Sequence, residues 1–141
     1  MNNEEFISFF NKHDACSREM GIRLLEVGDD FARAELPVTD VCRNMMGALH
    51  GGALATLVDI VAGCSTFRYQ KLCVTLSSSV HYHKGIIAGT ATATARVLRA
   101  GGRICTCQVE IRDDANELCC TATVTMYFTD KSFPALGIVG K

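Results

Sequence analysis

Residues 44–59, NMMGALHGGALATLVD, decide how this chain folds. Two glycines, Gly51 and Gly52, lead into an apolar run of helical character, and that run carries one acid, Asp59, where the pattern calls for a hydrophobic residue. A carboxylate is costly to bury in a small, alanine-rich helix unless it has a task there. The first turn of a helix leaves its backbone N–H groups without internal partners, so the glycines can offer them to a ligand oxygen. This layout favours the hydrolysis of an acyl compound.

The sequence on both sides of this helix predicts an α+β fold. A helix over about residues 4–16 precedes a hairpin with strands at 20–28 and 30–37, and the central helix runs from about 51 to 69. Alternating side chains then predict strands at 74–82, 90–98, 104–111 and 118–128, joined by tight turns. Long strands with short connections are typical of an antiparallel sheet, and one helix buried against such a curved sheet is an α+β arrangement.

Length and composition narrow the function. The 141 residues suit one domain, 1–141, with its core at about 20–128, and the net charge of −1 gives no large field to attract nucleic acid or an anionic membrane. The first residues do not resemble a secretory signal, and the longest apolar run, 53–63, is too short to span a bilayer. The eight cysteines form no Cys-x-x-Cys pair, so we interpret them as small buried hydrophobes rather than disulfides or a zinc site. We therefore expect a cytoplasmic protein.

The spacing of the two candidate groups predicts a homodimer. Asp59 lies eight residues beyond Gly51, which is about 12 Å along a helix axis, whereas catalytic hydrogen bonds need heavy atoms within about 3 Å. If both groups are catalytic, two such helices must lie antiparallel across a two-fold axis, so that each acid faces the N-terminus of the other helix. The alternative is that Asp59 only pairs with a surface arginine or lysine.

Four other candidates also have ordinary structural explanations. His50 directly precedes Gly51, at the N-cap position, and a histidine there can simply start the helix or pack in the loop. Asn44 is a common turn former. Thr75 and Ser77 share one strand face and are typical β-formers. No Gly-x-Ser-x-Gly elbow, dinucleotide fingerprint or Walker motif is present, so a serine hydrolase and a nucleotide-binding protein are disfavoured.

Taken together, the pattern Asn-x-x-Gly-x-x-His-Gly-Gly-x-x-x-x-Leu-x-Asp, from Asn44 to Asp59, resembles the signature of the PaaI-type hotdog-fold acyl-CoA thioesterases. The resemblance covers about residues 20–128 and continues through Val74-Thr75, Tyr82 and residues 96–99. It implies a hotdog fold, in which a curved antiparallel sheet wraps around a long central helix, and a homodimer that often pairs into a homotetramer. It also implies hydrolysis of an acyl-CoA to the free acid and coenzyme A without a metal or cofactor.

The resemblance also implies roles for individual residues. The Gly51 amide polarises the thioester carbonyl, helped by the helix dipole. Asn44 and His50 orient the carbonyl or the attacking water. Asp59 of the other subunit is the general base or the nucleophile, and Thr75 helps to hold the acid or the water.

Substrate contacts are expected around the end of the third strand. The candidates for binding the substrate or its coenzyme A are Ser77, Tyr82, Lys84, Arg99 and Arg103; cationic side chains suit phosphate oxygens, and their alternative is solvated surface charge. The chain departs from the family pattern after Tyr82. Residues 83–85 are His-Lys-Gly, whereas members of the family commonly have a proline at the third of these positions. The acyl group is not readable, although Met45, Met46, Leu49 and the partner helix are expected to line its pocket.

Two other functions compete with the thioesterase. A non-catalytic acyl-CoA-binding hotdog protein would have the same pocket, but retention of Asp59 with Asn44 favours the enzyme. A hotdog hydratase needs a histidine and an acid poised for proton transfer on a β-hydroxyacyl chain, and an acid on the central helix fits a thioesterase better.

Overall fold

The computed structural model describes residues 1–132, which form three α-helices and six β-strands. The helices are α1 (Asn3–His13), α2 (Ala15–Met20) and α3 (Gly51–Cys64), with 3₁₀ turns at Asp40–Cys42 and Phe67–Tyr69. The strands are β1 (Arg23–Gly28), β2 (Phe31–Pro37), β3 (Lys71–Tyr82), β4 (Thr90–Ala100), β5 (Ile104–Arg112) and β6 (Leu118–Ser132). The predicted strands and their order are confirmed. No helix within residues 1–132 is long and apolar enough to cross a membrane.

All six strands pair antiparallel in one sheet of order β1-β2-β4-β5-β6-β3. The strand that follows α3 in the chain, β3, pairs with β6, so it forms one edge of the sheet. Helix α3 contacts the five strands β2 to β6. The predicted hotdog arrangement, a long helix wrapped by an antiparallel sheet, is confirmed.

The core between α3 and the sheet combines large helix side chains with small strand side chains. Leu57 and Val61 of α3 are completely buried. On the sheet side, alanines fill the paired positions Ala32–Ala95 and Ala34–Ala93 of β2 and β4, and they too are completely buried. Small residues at these positions let the helix lie close to the sheet, because interiors are packed to crystal-like density.

The prediction of one N-terminal helix over residues 4–16 was wrong in one respect. The structure has two helices there, because the first ends at His13 and a second begins after Asp14. The backbone of Asp14 is extended, and its carboxylate accepts hydrogen bonds from the Ser17 backbone N–H (3.0 Å) and the Ser17 hydroxyl (2.6 Å). Asp14 thereby caps a second helix, α2, and this local bond competes with continuation of the first.

The central helix also ends earlier than predicted, at Cys64 instead of residue 69. The hydroxyls of Ser65 and Thr66 donate to the carbonyls of Ala62 (2.7 Å) and Gly63 (2.8 Å). These hydroxyls donate to carbonyl groups of the last helical turn, to which no further turn of the helix supplies a backbone N–H. The chain then tightens into a 3₁₀ turn before β3.

Candidate active site

Asp59 lies on the exposed side of α3, although its neighbours Leu57 and Val58 are buried. Its Oδ1 accepts a hydrogen bond of 2.6 Å from Oγ1 of Thr75 on β3. Asp59 takes part in none of the ion pairs found within residues 1–132. The described structure therefore gives no support to the alternative that Asp59 serves a surface salt bridge.

Thr75 reaches the acid from an edge strand with an irregular register. It pairs with Met126 of β6, and the register shifts between Thr75 and Ser77. Such bulges alter the direction of nearby side chains and are frequent beside active sites. The hydroxyl of Ser77, one of the candidates for binding the substrate, makes no hydrogen bond to another described residue.

The start of α3 presents one open backbone donor. His50 is the N-cap, and its Nδ1 accepts a hydrogen bond of 2.9 Å from the Gly52 N–H. That contact assigns the proton of the neutral imidazole to Nε2. The carbonyl of His50 accepts from Ala53 and Leu54, whereas the Gly51 N–H has no acceptor among the described residues. Gly51 is thus the first-turn donor available to a ligand.

Asn44 organises the loop before α3. Its Oδ1 accepts from the backbone N–H groups of Met46 (2.9 Å) and Ala48 (3.1 Å), and its carbonyl accepts from Gly47, which has a φ of 87°. The side-chain oxygen of Asn44 therefore has the turn-forming role that the sequence suggested. Its Nδ2 donates to no other residue within 1–132, so this amide nitrogen can face a ligand.

Tyr82 ties the end of β3 to the start of α3. Its hydroxyl donates a hydrogen bond of 2.9 Å to the Gly51 carbonyl, and a Cβ at Gly51 would lie 3.6 Å from the ring. Burial and the nearby Cys120 raise the pKa of the Tyr82 phenol, so it stays protonated and able to donate at neutral pH. Tyr82 therefore positions the residue that carries the open N–H.

The two ends of the candidate site remain apart within one chain. Helix α3 is continuous from Gly51 to Cys64, so eight residues separate Gly51 from Asp59, or about 12 Å along the axis. The structure brings Asp59 to Thr75 and Gly51 to Tyr82, but it does not bring these pairs together.

A cavity of about 390 Å³ lies between α1, α3 and β3, and Asp59 and Thr75 are among its lining residues. Its apolar wall consists mainly of Phe6, Phe9, Phe10, Ile60, Phe67 and Met126. This cavity could not be predicted from the sequence, because helical spacing marks the phenylalanines of α1 as an apolar stripe without showing what that stripe faces.

The side chains expected to form the acyl pocket lie elsewhere in the described chain. Met45 and Met46 are 101% and 83% exposed, Leu49 is buried, and none of the three lines the cavity beside Asp59. The partner helix expected in the same pocket would belong to a second copy of the chain.

Two of the three candidate phosphate-binding cations already face carboxylates. Lys84 Nζ contacts Asp113 at 2.9 Å and also bonds Glu117. The hydrogen bond between Lys84 and Asp113 raises the pKa of Lys84 and lowers the pKa of Asp113.

Of the two arginine candidates, Arg103 has a carboxylate partner and Arg99 has none among the described residues. Arg103 pairs with Asp130 at 2.7 Å, and this contact raises the pKa of the guanidinium. Arg99 is exposed on β4 and has no carboxylate partner within residues 1–132. Nowhere in that range do three His, Cys, Asp or Glu side chains converge as a metal site would require.

Comparison with known proteins gives consistent matches. The model of the thioesterase superfamily matches residues 46–120. The 1,4-dihydroxy-2-naphthoyl-CoA hydrolase of Escherichia coli K12 is 30% identical over 109 residues, covering 75% of this chain and 80% of that protein. The structure of smu.793 from Streptococcus mutans bound to acetyl CoA has a TM-score of 0.74 and 26% identity, covering 79% of this chain and 90% of that one. The E. coli PaaI protein, at 22% identity and a TM-score of 0.84, covers 89% of this chain and 91% of its own and shares the fold.

Proposed function

This chain belongs to the thioesterase superfamily and is a thioester hydrolase, and from that premise we propose that it hydrolyses acyl-CoA thioesters to a free acid and coenzyme A. The observation that carries the proposal is the Asp59–Thr75 pair at an apolar cavity, because it sets an oriented carboxylate beside space for an acyl group. The coenzyme A part rests on relatives: one is named a CoA hydrolase, and one was solved with acetyl CoA.

The proposed site is shared by two chains. Antiparallel α3 helices across a two-fold axis would place the Gly51 N–H of one copy opposite Asp59 of the other. The edge strand β3 supports such a contact, since it is twelve residues long and leaves Val74 and Leu76 51% and 56% exposed. Long apolar edge strands are usually covered in stable proteins. The homotetramer implied by the resemblance stays a prediction.

In the proposed reaction, the Asp59 carboxylate removes a proton from a water molecule as the water oxygen bonds to the thioester carbon. The carbonyl electrons move onto oxygen, where the Gly51 N–H donates to the oxyanion. When the carbonyl reforms, the C–S bond breaks and coenzyme A leaves as a thiolate, which takes up the proton that Asp59 removed from the water, so that the Asp59 carboxylate is regenerated. Alternatively, the Asp59 carboxylate attacks the carbon itself, the C–S bond breaks as coenzyme A leaves as a thiolate, and water then hydrolyses the resulting mixed anhydride to the free acid, restoring the Asp59 carboxylate and supplying the proton that the thiolate takes up.

The remaining candidates have supporting roles in this proposal. The Asn44 Nδ2 and the His50 Nε2 orient the carbonyl or the water, and Thr75 holds one oxygen of the acid. Tyr82 keeps Gly51 in place, while Arg99 contacts the nucleotide end of coenzyme A. No cofactor enters the scheme, and a cytoplasmic location stays a prediction of the sequence.

Product analysis tests this function against its rivals. The protein is incubated with a panel of acyl-CoAs, thiol release is followed with a thiol reagent corrected for the protein's eight cysteines, and the acid is identified by mass spectrometry. A thioesterase releases equal amounts of thiol and free acid. A hydratase changes the mass of an intact thioester, and a binding protein releases neither product; either result would contradict the proposal.

A further inference from the structure

Gly63 leaves a gap in the wall of the cavity beside the candidate acid. It lies four residues after Asp59 on α3, hence on the same helix face and about 6 Å farther along the axis. Gly63 lines the cavity, and a Cβ at this position would meet no atom within 4 Å apart from its chain neighbours and the backbone of α3. Within one chain, the space that a side chain would occupy at this position is therefore empty.

Beyond Gly63 the cavity is aromatic. Phe6 of α1 stacks on Phe67 with ring centroids 4.1 Å apart and planes 7° from parallel, and Phe9 and Phe10 are partly buried beside them. A dry apolar cavity of about 150 Å³ accommodates a benzene ring. The 390 Å³ found here thus has room for an aryl group or a medium-length alkyl chain.

Apart from Asp59, the ionisable side chains that line this cavity are His13, Asp14 and Lys71, together with cysteines. Lys71 is four residues from Thr75 along β3, or about 13 Å, and His13 and Asp14 follow the end of the aromatic wall on α1. The other lining side chains, mostly aromatic or aliphatic, are uncharged. A carboxylate on a short acyl group would have to lie among them without a partner, which is costly.

We propose that Gly63 sets the size of the acyl group that the enzyme accepts, and that the cavity beside it receives an uncharged, apolar acyl group. This inference rests on the proposed function, because a thioester carbon at Asp59 directs its acyl group along α3, over Gly63. Side chains at position 63 then shorten the cavity in proportion to their size.

A series of substitutions at Gly63 tests the inference. We measure kcat/KM of the wild type, Gly63→Ala and Gly63→Leu with acetyl-, hexanoyl-, phenylacetyl- and succinyl-CoA. Wild type should prefer hexanoyl- and phenylacetyl-CoA to succinyl-CoA. Gly63→Leu should lower kcat/KM for the two larger apolar substrates by about tenfold or more, while acetyl-CoA is unaffected and Gly63→Ala is intermediate. Alanine and leucine favour a helix more than glycine does, so these variants should fold.

The matched control is Gly102→Leu, at a glycine that also has open space around it but lies in the turn between β4 and β5, away from the cavity. This control should leave the selectivity unchanged. An equal loss on acetyl- and phenylacetyl-CoA in Gly63→Leu, no loss on either, or a wild-type preference for succinyl-CoA would overturn the inference.

A binding measurement separates this inference from the proposed hydrolysis. The dissociation constants of phenylacetyl-CoA and acetyl-CoA are measured by calorimetry on Asp59→Asn, with and without Gly63→Leu. Selective weakening of phenylacetyl-CoA would support the role of Gly63 even if the wild type released no thiol, a result that would reject only the hydrolysis. Unchanged affinity for phenylacetyl-CoA would overturn the role of Gly63 even in an active thioesterase.

Discussion

Thr75 Oγ1 donates a hydrogen bond of 2.6 Å to Asp59 Oδ1 and so joins the edge strand β3 to the middle of α3. The other carboxylate oxygen, Oδ2, accepts no hydrogen bond from another residue within 1–132. Hydrogen bonds to an ionised acceptor are short and directional, so one oxygen is held while the other is left for water or substrate. This division between a held and an open oxygen leads to the first two predictions.

Replacement of Asp59 by asparagine should remove the base and keep the shape of the side chain. We expect kcat to fall on the order of 100-fold or more, which is typical for loss of a general base. Steady-state kinetics measures the loss, while circular dichroism and sedimentation check that fold and assembly persist. The matched control is Asp29→Asn, at an exposed acid in the β1–β2 turn. A kcat of Asp59→Asn within a few-fold of wild type would reject the role of Asp59.

Replacement of Thr75 by valine should release the held oxygen of Asp59. A hydrogen bond to a charged group contributes about 1.5–3 kcal/mol, and the lower value suits an exposed acid, so we expect kcat to fall roughly tenfold. Thr75→Ser keeps the hydroxyl and should retain most activity. Thr123→Val, at an exposed threonine of β6, is the control. Equal rates for the valine and serine variants of Thr75 would show that its hydroxyl does not act.

The order of the elements was predictable because hydrophobic periodicity is a local signal. The ends of the helices were not, because side chains decide them by bonding to the backbone. Asp14 caps a new helix through Ser17, and Ser65 and Thr66 occupy the last carbonyls of α3. Such bonds compete with the helix without disturbing the apolar pattern around them.

The motif of the candidate site was predictable from the sequence, but the cavity beside it was not. The residues from Asn44 to Asp59 form one local motif. Its spacing alone therefore predicted that Gly51 and Asp59 lie too far apart to act together within one chain. The cavity depends on the packing of Phe6 and Phe10 against α3 and β3, which are distant in sequence. Periodicity shows that two residues share a face, but only the tertiary structure shows what that face meets.

Mixing two inactive variants tests whether the site is shared between chains. Asn44→Asp keeps the Oδ1 acceptor that supports Met46 and Ala48 and removes the Nδ2 donor, so the loop should persist. Co-refolded with Asp59→Asn, it should form heterodimers with one intact site in two. Random pairing in equal amounts then restores about a quarter of the wild-type activity. Heterodimers proven by mass spectrometry yet inactive would show that each site lies within one chain.

Alkaline pH should weaken the fold through Tyr69. A hydrogen bond to Asp30, with burial, raises the pKa of the Tyr69 phenol to about 12. Because this value exceeds the ordinary value of about 10, the stabilisation is complete below pH 10 and is lost as the pH rises towards 12. Tyr69→Phe should therefore lose less stability over that range, as measured by urea unfolding at several pH values. Tyr127→Phe serves as the control, and identical pH profiles for Tyr69→Phe and the wild type would contradict the prediction.

Arg99 should bind coenzyme A without affecting the chemical step. Its guanidinium has no carboxylate partner among the described residues, whereas Lys84 and Arg103 are each paired with acids. A contact with a remote phosphate is equally strong in the ground and transition states, so it contributes uniform binding. Arg99→Ala should raise KM for acyl-CoA and leave kcat near wild type, and added salt should mimic the substitution by screening the contact.

The matched substitutions for Arg99 are Lys84→Ala and Arg103→Ala, which should change KM less because their charges are already neutralised within the protein. An acyl-pantetheine substrate that lacks the nucleotide should be insensitive to Arg99→Ala. An equal rise in KM for acyl-CoA and acyl-pantetheine would show that Arg99 supports the fold or an interface instead. An unchanged KM for acyl-CoA would remove Arg99 from the binding site, since a cation that faces phosphate cannot be lost without weakening the complex.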